Sequence, residues 1–138
     1  MKTHITTTPD ETMALAFGLA KTLAPGSFVA LSGELGAGKT VFVKGLAKGL
    51  GVNEHEYVNS PTFVIMKEYT GRMPLYHFDV YRLDETHFAD TVEYEKYFYG
   101  KGVTVVEWAE RIVGLLPEKR IEITIEHVSE HCRRVTIR

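Results

Sequence analysis

A glycine-rich segment that ends in a lysine and a threonine is the part of this sequence best suited to chemistry. Residues 33–40 match the phosphate-loop pattern Gly-x-x-x-x-Gly-Lys-Thr. Glycines let backbone N–H groups turn inward around phosphate oxygens, and the N-terminus of a following helix adds partial positive charge. We therefore expect Lys39 to reach the β- and γ-phosphates of a nucleotide and the Thr40 hydroxyl to bind Mg²⁺. The predicted nucleotide-binding residues of this segment are Gly33, Glu34, Leu35, Gly36, Ala37, Gly38, Lys39 and Thr40.

Two acidic residues stand at the ends of strand-like runs, where a phosphate-loop protein needs a carboxylate for the Mg²⁺ shell. Residues 75–78 are followed by Asp79, and residues 103–106 are followed by Glu107. The second run is more β-branched and more continuously apolar, so it is more typical of a central strand beside the loop. We assign Glu107 to the metal, and Asp79 to the attacking water or the outer metal shell. Which of the two is the main metal-shell acid stays open.

Three weaker candidates carry two interpretations each. The hydroxyls of Ser-Pro-Thr-Phe at 60–63, Thr62 among them, could sense a γ-phosphate as a switch loop does, or could simply close a turn. Arg133 and Arg134 alternate on a terminal strand, where solvent is the default environment and contact with nucleotide or RNA the alternative. His77 could be read as a metal ligand, but the six histidines lack ligand spacing and a cysteine partner, which disfavours zinc.

Strand-like and helix-like segments alternate around the loop, which predicts an α/β fold. Residues 28–31 are typical of a strand buried on both faces, and a helix from about Thr40 to Leu50 follows the loop. We expect a phosphate-loop NTPase-like three-layer sandwich with a mixed, mostly parallel sheet and a C-terminal antiparallel hairpin. Two hairpins are predicted, from residues 63–69 with 75–81 and from residues 120–127 with 133–138. A short helix is expected over 109–116.

Two helices carry signals of their ends and of their packing. Thr8 suits an N-cap, Pro9 the first helical position, and Glu11 the third, which predicts a capping box. Gly45 and Gly49 lie four residues apart, so one side of the helix after the loop has almost no side chain. We expect that bare side to pack closely on a sheet.

Length and composition bound the class of protein. The 138 residues predict a single domain over 1–138, with 44% hydrophobic and 25% charged residues, as is ordinary for a globular protein. Proteins that bind nucleic acid without help from a partner are usually basic, and the net charge of −2 is unlike theirs. One cysteine, Cys132, excludes an internal disulfide, and there is no secretory or membrane-spanning run, so we expect a cytoplasmic protein.

Four motifs in order resemble those of the bacterial TsaE family, also called YjeE. They are Gly-Glu-Leu-Gly-Ala-Gly-Lys-Thr (33–40), Ser-Pro-Thr-Phe (60–63), His-Phe-Asp-Val-Tyr-Arg (77–82) and Val-Glu-Trp-Ala-Glu (106–110). The likeness covers nearly the whole chain and is more specific than the phosphate loop alone. The chain departs from the family pattern at Ala89-Asp90-Thr91-Val92, where a Leu-Gly pair is expected, which leaves a helix boundary open.

The resemblance implies a small Mg²⁺-dependent ATPase, weak alone, that serves threonylcarbamoylation of the adenosine next to the anticodon in tRNAs reading ANN codons. The implied partners are the TsaD protein, which carries the transfer chemistry, and TsaB; tRNA is reached only through the complex. Thr40 and Glu107 are implied to carry Mg²⁺, with Lys39, Asp79 and Thr62 serving hydrolysis or switching. The implied nucleotide contacts outside the loop are Trp108, Glu11 and Arg134 of the C-terminal hairpin.

A small-molecule kinase is the main alternative, since it uses the same loop. Such kinases usually carry an arginine-bearing lid, and residues 84–102 contain no arginine. A GTPase would need an Asn/Thr-Lys-x-Asp element, which the sequence lacks, so adenine is favoured over guanine.

Overall fold

One sheet with helices on both faces is the frame of the protein, in a computed structural model that describes residues 1–34, 36–53, 58 and 65–138. The predicted site residues Leu35 and Thr62 lie outside the described residues. The strands are β1 (Lys2–Thr6), β2 (Phe28–Gly33), β3 (Met66–Thr70), β4 (Pro74–Asp79), β5 (Val103–Glu107), β6 (Ile121–His127) and β7 (Arg133–Ile137). The helices are α1 (Pro9–Ala20), α2 (Lys39–Gly49), α3 (Glu85–Thr91) and α4 (Glu95–Phe98).

Within the described ranges the strand order is β1-β7-β6-β2-β5-β4-β3. The four central strands β6, β2, β5 and β4 run parallel, and β1, β7 and β3 join antiparallel at the two sides. Both predicted hairpins are present, as β3–β4 and β6–β7. The C-terminal hairpin is also part of the central sheet, because β6 pairs directly with β2. The expected mixed sheet is therefore confirmed.

Side chains of β2 alternate between two separate cores, which makes the fold three-layered. Val29 and Leu31 pack with α1 and α2, while Phe28 and Ala30 pack with α3, α4 and a 3₁₀ helix over Ala109–Leu115. Every residue of β5 is buried, as a continuous apolar run covered on both faces requires. The ends of β2 and β5 thus lie on rigid, central elements, and the site described below is built on them.

The bare side of α2 packs on a helix and not on the sheet, so that part of the expectation was wrong. A Cβ added to Gly45 would collide with the Met13 carbonyl and with Ala16 of α1, and one added to Gly49 would collide with Ala20. The two glycines let α1 and α2 approach closely. Thus α1 is held directly on the helix that follows the phosphate loop.

The helix ends follow the sequence signals with two differences. Thr8 caps α1 by accepting the Glu11 N–H at 3.1 Å, but the Glu11 carboxylate returns to the N–H and hydroxyl of Thr7, not to Thr8. The short helix expected over 109–116 is a 3₁₀ helix over Ala109–Leu115, broken at Ile112 by a non-helical φ of −130°. Among the described helices, none has the length and apolar character needed to span a membrane.

Candidate nucleotide site

The phosphate loop joins the end of β2 to the start of α2, and its backbone needs glycine at both ends. Gly38 is the N-cap of α2 with φ of 104°, which favours glycine over any residue with a Cβ. A Cβ on Gly33 would collide with the carbonyl oxygen of Ile125 in the neighbouring strand β6. The first turn of α2 contains no acidic residue. Because the loop directly precedes α2, the free N–H groups and the positive dipole end of the helix are directed at it, and no acidic side chain in that turn would repel an anion.

Lys39 is folded onto the loop that precedes it. Its Nζ donates to the carbonyl oxygens of Gly33 at 2.5 Å and Glu34 at 2.9 Å, and it lies 3.8 Å from the centre of the Trp108 ring. The side chain is 5% exposed. Burial lowers the pKa of the Lys39 amine, and the negative charge of Glu107, followed by other nearby carboxylates, opposes that shift. The lysine predicted to reach a phosphate thus lies beside the loop, where its ammonium group contacts two carbonyl oxygens and an aromatic face.

The two residues predicted to bind the cation are in direct contact. The Thr40 hydroxyl donates to Glu107 Oε1 at 3.2 Å, although 67 residues separate them along the chain. Asp79 ends β4 directly opposite Glu107 in the strand register. Both acids are buried, with 2% of Glu107 and 7% of Asp79 exposed. Asp79 Oδ1 accepts the N–H of Tyr81 at 2.9 Å, which fixes its orientation at the strand end.

A cavity of about 460 Å³ opens over these groups and brings together half of the predicted site residues. Its described lining includes seven predicted residues, Gly36, Gly38, Lys39, Thr40, Asp79, Glu107 and Trp108. Three further lining residues were not predicted, Val41, Tyr81 and Arg82. One wall is thus the loop with α2, and the opposite wall is formed by the ends of β4 and β5.

Trp108 forms part of that opposite wall in a backbone conformation unusual for its residue type. Its φ is 64°, a left-handed value, and it caps the 3₁₀ helix directly after Glu107. The ring packs against Tyr81 with centroids 4.7 Å apart, and the Arg111 guanidinium lies 5.0 Å from the Tyr81 ring. Such strain is tolerated where the surroundings hold it, and it often accompanies functional positions. Here it turns the indole towards Lys39.

A second cavity of about 210 Å³ lies on the other side of the loop. It is lined by the β1–α1 junction, the loop itself and the β6–β7 hairpin, with Thr8 and Arg133 among the lining residues. The β6–β7 hairpin is bonded to the loop, because Arg133 Nε donates to Ala37 O at 3.2 Å and His127 Nε2 to Gly36 O at 2.9 Å. This cavity therefore adjoins the phosphate loop at Gly36, Ala37 and Gly38.

The two outlying predicted contacts are differently situated. Among the residues that line the second cavity, neither Glu11 nor Arg134 occurs. The Glu11 carboxylate is engaged with Thr7, and Arg134 lies 3.7 Å from Glu126. Arg133 contacts the loop instead. Alternation along β7 predicts that the two arginines face opposite ways but does not predict which of them faces the loop.

The donor set fits Mg²⁺. Mg²⁺ prefers oxygen ligands and is usually held by one or two protein groups together with phosphate oxygens and water. The Thr40 hydroxyl and the buried Glu107 carboxylate are two such oxygens at the start of the helix that follows the loop. Groups of three or more histidine, cysteine and acidic side chains that could hold a metal without a nucleotide are not found in the described ranges. Two protein oxygens are within the number that Mg²⁺ commonly takes from a protein.

A phosphate loop between a central parallel strand and a helix, with an acid at the end of the adjacent strand, defines a P-loop nucleotide-binding domain. A family profile described as "Threonylcarbamoyl adenosine biosynthesis protein TsaE" matches residues 6–135, and the chain belongs to this family.

Individual relatives agree with this family assignment. The tRNA threonylcarbamoyladenosine biosynthesis protein TsaE of Bacillus subtilis (strain 168) is 46% identical over 132 residues, which cover 95% of this chain and 81% of that protein. The protein of the same name from Treponema pallidum (strain Nichols) is 43% identical over 119 residues, covering 86% and 87% of the two chains. The crystal structure of Bacillus subtilis YdiB superposes with a TM-score of 0.85 at 41% identity, covering 99% of this chain and 83% of that one. The family expected from the four motifs is thereby confirmed.

Proposed function

We propose that this chain binds Mg·ATP, hydrolyses it slowly, and thereby serves threonylcarbamoylation of the adenosine next to the anticodon in tRNAs that read ANN codons. The names of its relatives support the tRNA role. The contact between the Thr40 hydroxyl and Glu107 Oε1, 3.2 Å apart beside Lys39, is the observation that carries the nucleotide role. Membership of the TsaE family argues against the small-molecule kinase.

In this proposal the groups around the first cavity divide the work on the triphosphate. Lys39 exchanges its bonds to the loop carbonyls for bonds to the β- and γ-phosphate oxygens, which are stronger acceptors because they are charged. Thr40 and Glu107 hold the cation, which when bound neutralises charge that develops on the phosphates. Asp79 orients the attacking water, and Thr62 carries the switching role. Since Tyr81 anchors one oxygen of Asp79, that carboxylate meets the water in a fixed orientation.

The base end of the nucleotide is proposed to lie in the second cavity. Its lining comes from the β1–α1 junction, the loop and the β6–β7 hairpin, and Arg133 is the arginine bonded to the loop there. Glu11 and Arg134 stay predictions for this part of the site. Gly33, Glu34 and Leu35, with the rest of the loop, are proposed to contact the phosphates through backbone N–H groups.

TsaD and TsaB are the proposed partners, with tRNA reached through their complex in the cytoplasm. The net charge of −2 is consistent with a protein that does not hold most of the tRNA itself. Cycles of nucleotide binding and hydrolysis would then alter the complex, while the transfer chemistry stays in TsaD.

The experiment compares Lys39→Ala with Lys48→Ala, a change of an exposed lysine in the same helix. We expect Lys39→Ala to lose ATP hydrolysis while it remains folded, and Lys48→Ala to hydrolyse ATP at the wild-type rate. Pull-down of purified TsaD and TsaB, with and without Mg·ATP, is expected to depend on nucleotide for the wild type and Lys48→Ala only. Unchanged hydrolysis in Lys39→Ala would remove the phosphate loop from the mechanism, and failure to bind TsaD and TsaB under any condition would contradict the partnership.

A further inference from the structure

A fully buried histidine lies behind the proposed cation site. His77 is in β4, with 0% of its surface exposed, and its Nε2 is 2.5 Å from Glu107 Oε2. In the strand register His77 stands opposite Val105, so Glu107 is its diagonal neighbour on the same face of the sheet. The histidine has no direct access to the cavity, and none of the chemistry proposed above uses it.

The surroundings of the ring determine which nitrogen carries the proton. Among the described residues, His77 Nδ1 has no hydrogen-bond partner and is buried. A buried N–H without an acceptor is costly and rare in proteins, so the proton belongs on Nε2, where the Glu107 carboxylate accepts it. Through this bond His77 orients the Glu107 carboxylate.

The two carboxylate oxygens of Glu107 bond to two different neighbours. Oε2 accepts from His77 at 2.5 Å, and Oε1 accepts from the Thr40 hydroxyl at 3.2 Å. A glutamate side chain has several rotatable bonds, and ordering it costs conformational entropy. With His77 in place, much of that ordering is complete before any ligand binds, and Oε1 already faces the start of α2.

We propose that His77 is a positioning residue, whose Nε2–H bond to Glu107 Oε2 holds that carboxylate towards Thr40 in readiness for a nucleotide-bound divalent cation. The inference rests on the proposed function of Thr40 and Glu107 as cation ligands. Outer groups that orient a metal ligand typically change metal affinity by about 10- to 100-fold when removed. The effect of losing His77 is therefore expected in the response to Mg²⁺ and not in the contacts between the loop and the phosphates.

The test uses two variants of one position. His77→Leu fills the space without a donor, and His77→Gln keeps an N–H donor near the place of Nε2. Calorimetry measures the affinity for AMP-PNP in EDTA and again in Mg²⁺, and the ratio of the two affinities is the readout. We expect about a 10- to 100-fold smaller ratio in His77→Leu, recovery of most of it in His77→Gln, and nearly equal affinities in EDTA for both variants and the wild type. A merely structural histidine would change the affinity in EDTA as well, or change neither.

The outcomes separate this inference from the proposed function. If the wild type binds AMP-PNP without any gain from Mg²⁺, the cation site itself is wrong, and the role of His77 is wrong with it. If Mg²⁺ raises the AMP-PNP affinity of the wild type and of His77→Leu equally, or if both variants lose the same part of that increase, only the role of His77 is overturned.

Should His77→Leu fail to fold, Glu107→Gln and the double variant His77→Leu/Glu107→Gln decide the matter. Equal Mg²⁺ responses in those two support action through Glu107, and a further loss in the double variant overturns it.

Discussion

The ammonium group of Lys39 lies 3.8 Å from the centre of the Trp108 ring, between the phosphate loop and the end of β5. The same nitrogen donates to two loop carbonyls, those of Gly33 and Glu34. A contact between a cation and an aromatic face contributes roughly 0.5–2 kcal/mol, depending on its desolvation. Bonds to charged phosphate oxygens are stronger than bonds to neutral carbonyls. Nucleotide binding is therefore expected to draw Lys39 away from the ring.

Binding of Mg·AMP-PNP is expected to change the emission of Trp108. The chain has one tryptophan, so the whole indole signal comes from this ring. Departure of the ammonium group alters the field at the ring, and the change should saturate with nucleotide concentration. Fluorescence titration measures it, and Lys39→Met should start from a different emission and show little further change.

Lys21→Met is the matched control for that titration. Lys21 lies 4.6 Å from the ring centre of Phe17, so it is also a lysine over an aromatic face, but at the C-cap of α1. Its titration should follow the wild type. If Lys39→Met responded to nucleotide with the wild-type amplitude, Trp108 would be reporting some other event, and the movement of Lys39 would be unsupported.

The parts of the site that were predictable from sequence are those encoded by local pattern. The spacing of residues 33–40 and the buried run before Glu107 sufficed to predict the loop and the acid on the adjacent strand. The partnership of His77 with Glu107 was not predictable, because it depends on the register between β4 and β5, which is a tertiary property. The choice of Arg133 over Arg134 likewise depends on which face of β7 meets the loop.

The partner against which α2 packs could likewise not be predicted from the sequence. Gly45 and Gly49 showed that one side of the helix is bare, but nothing in the pattern indicates whether a sheet or a helix covers it. The structure has α1 there. The role of β6 as the parallel neighbour of β2 was also missed, because alternation within residues 120–127 predicts a strand and a hairpin but not its second partner.

Replacement of Gly45 by alanine is expected to destabilise the protein by about 1–3 kcal/mol, because the new Cβ would force α1 and α2 apart. The atoms in its way are the Met13 carbonyl and the Ala16 Cβ, which belong to a packed helix and cannot simply rotate aside. Gly49→Ala should behave similarly, since Ala20 and the Phe17 carbonyl lie in its way. Urea unfolding at equilibrium measures the change in the free energy of unfolding.

Gly18→Ala is the control for these helix glycines. Gly18 is also inside a helix, α1, but a Cβ there would meet nothing within 4 Å among the described atoms. The gain in helix propensity should stabilise the protein by about 0.5–1 kcal/mol. Stabilisation by Gly45→Ala of the same size as by Gly18→Ala would contradict close packing of the two helices.

The Glu11 carboxylate should add stability that disappears in acid. Its Oε1 accepts the Thr7 N–H at 2.7 Å and the Thr7 hydroxyl at 2.9 Å, and these bonds, the backbone one first, hold the pKa of Glu11 below its ordinary 4.5. A carboxyl group with a lowered pKa in the folded state stabilises fully above the unfolded value and loses that contribution as pH falls through the folded value. Thermal unfolding from neutral pH into acid should therefore show an unfolding temperature of Glu11→Gln that lies below the wild-type value by a constant amount above pH 4.5 and by a shrinking amount below it.

The control is Glu118→Gln, a change of an exposed acid after the 3₁₀ helix, for which the difference from the wild type should not shrink in acid. A deficit in Glu11→Gln that is equally large in acid would mean that the Glu11 side chain stabilises α1 by packing and not through its charge.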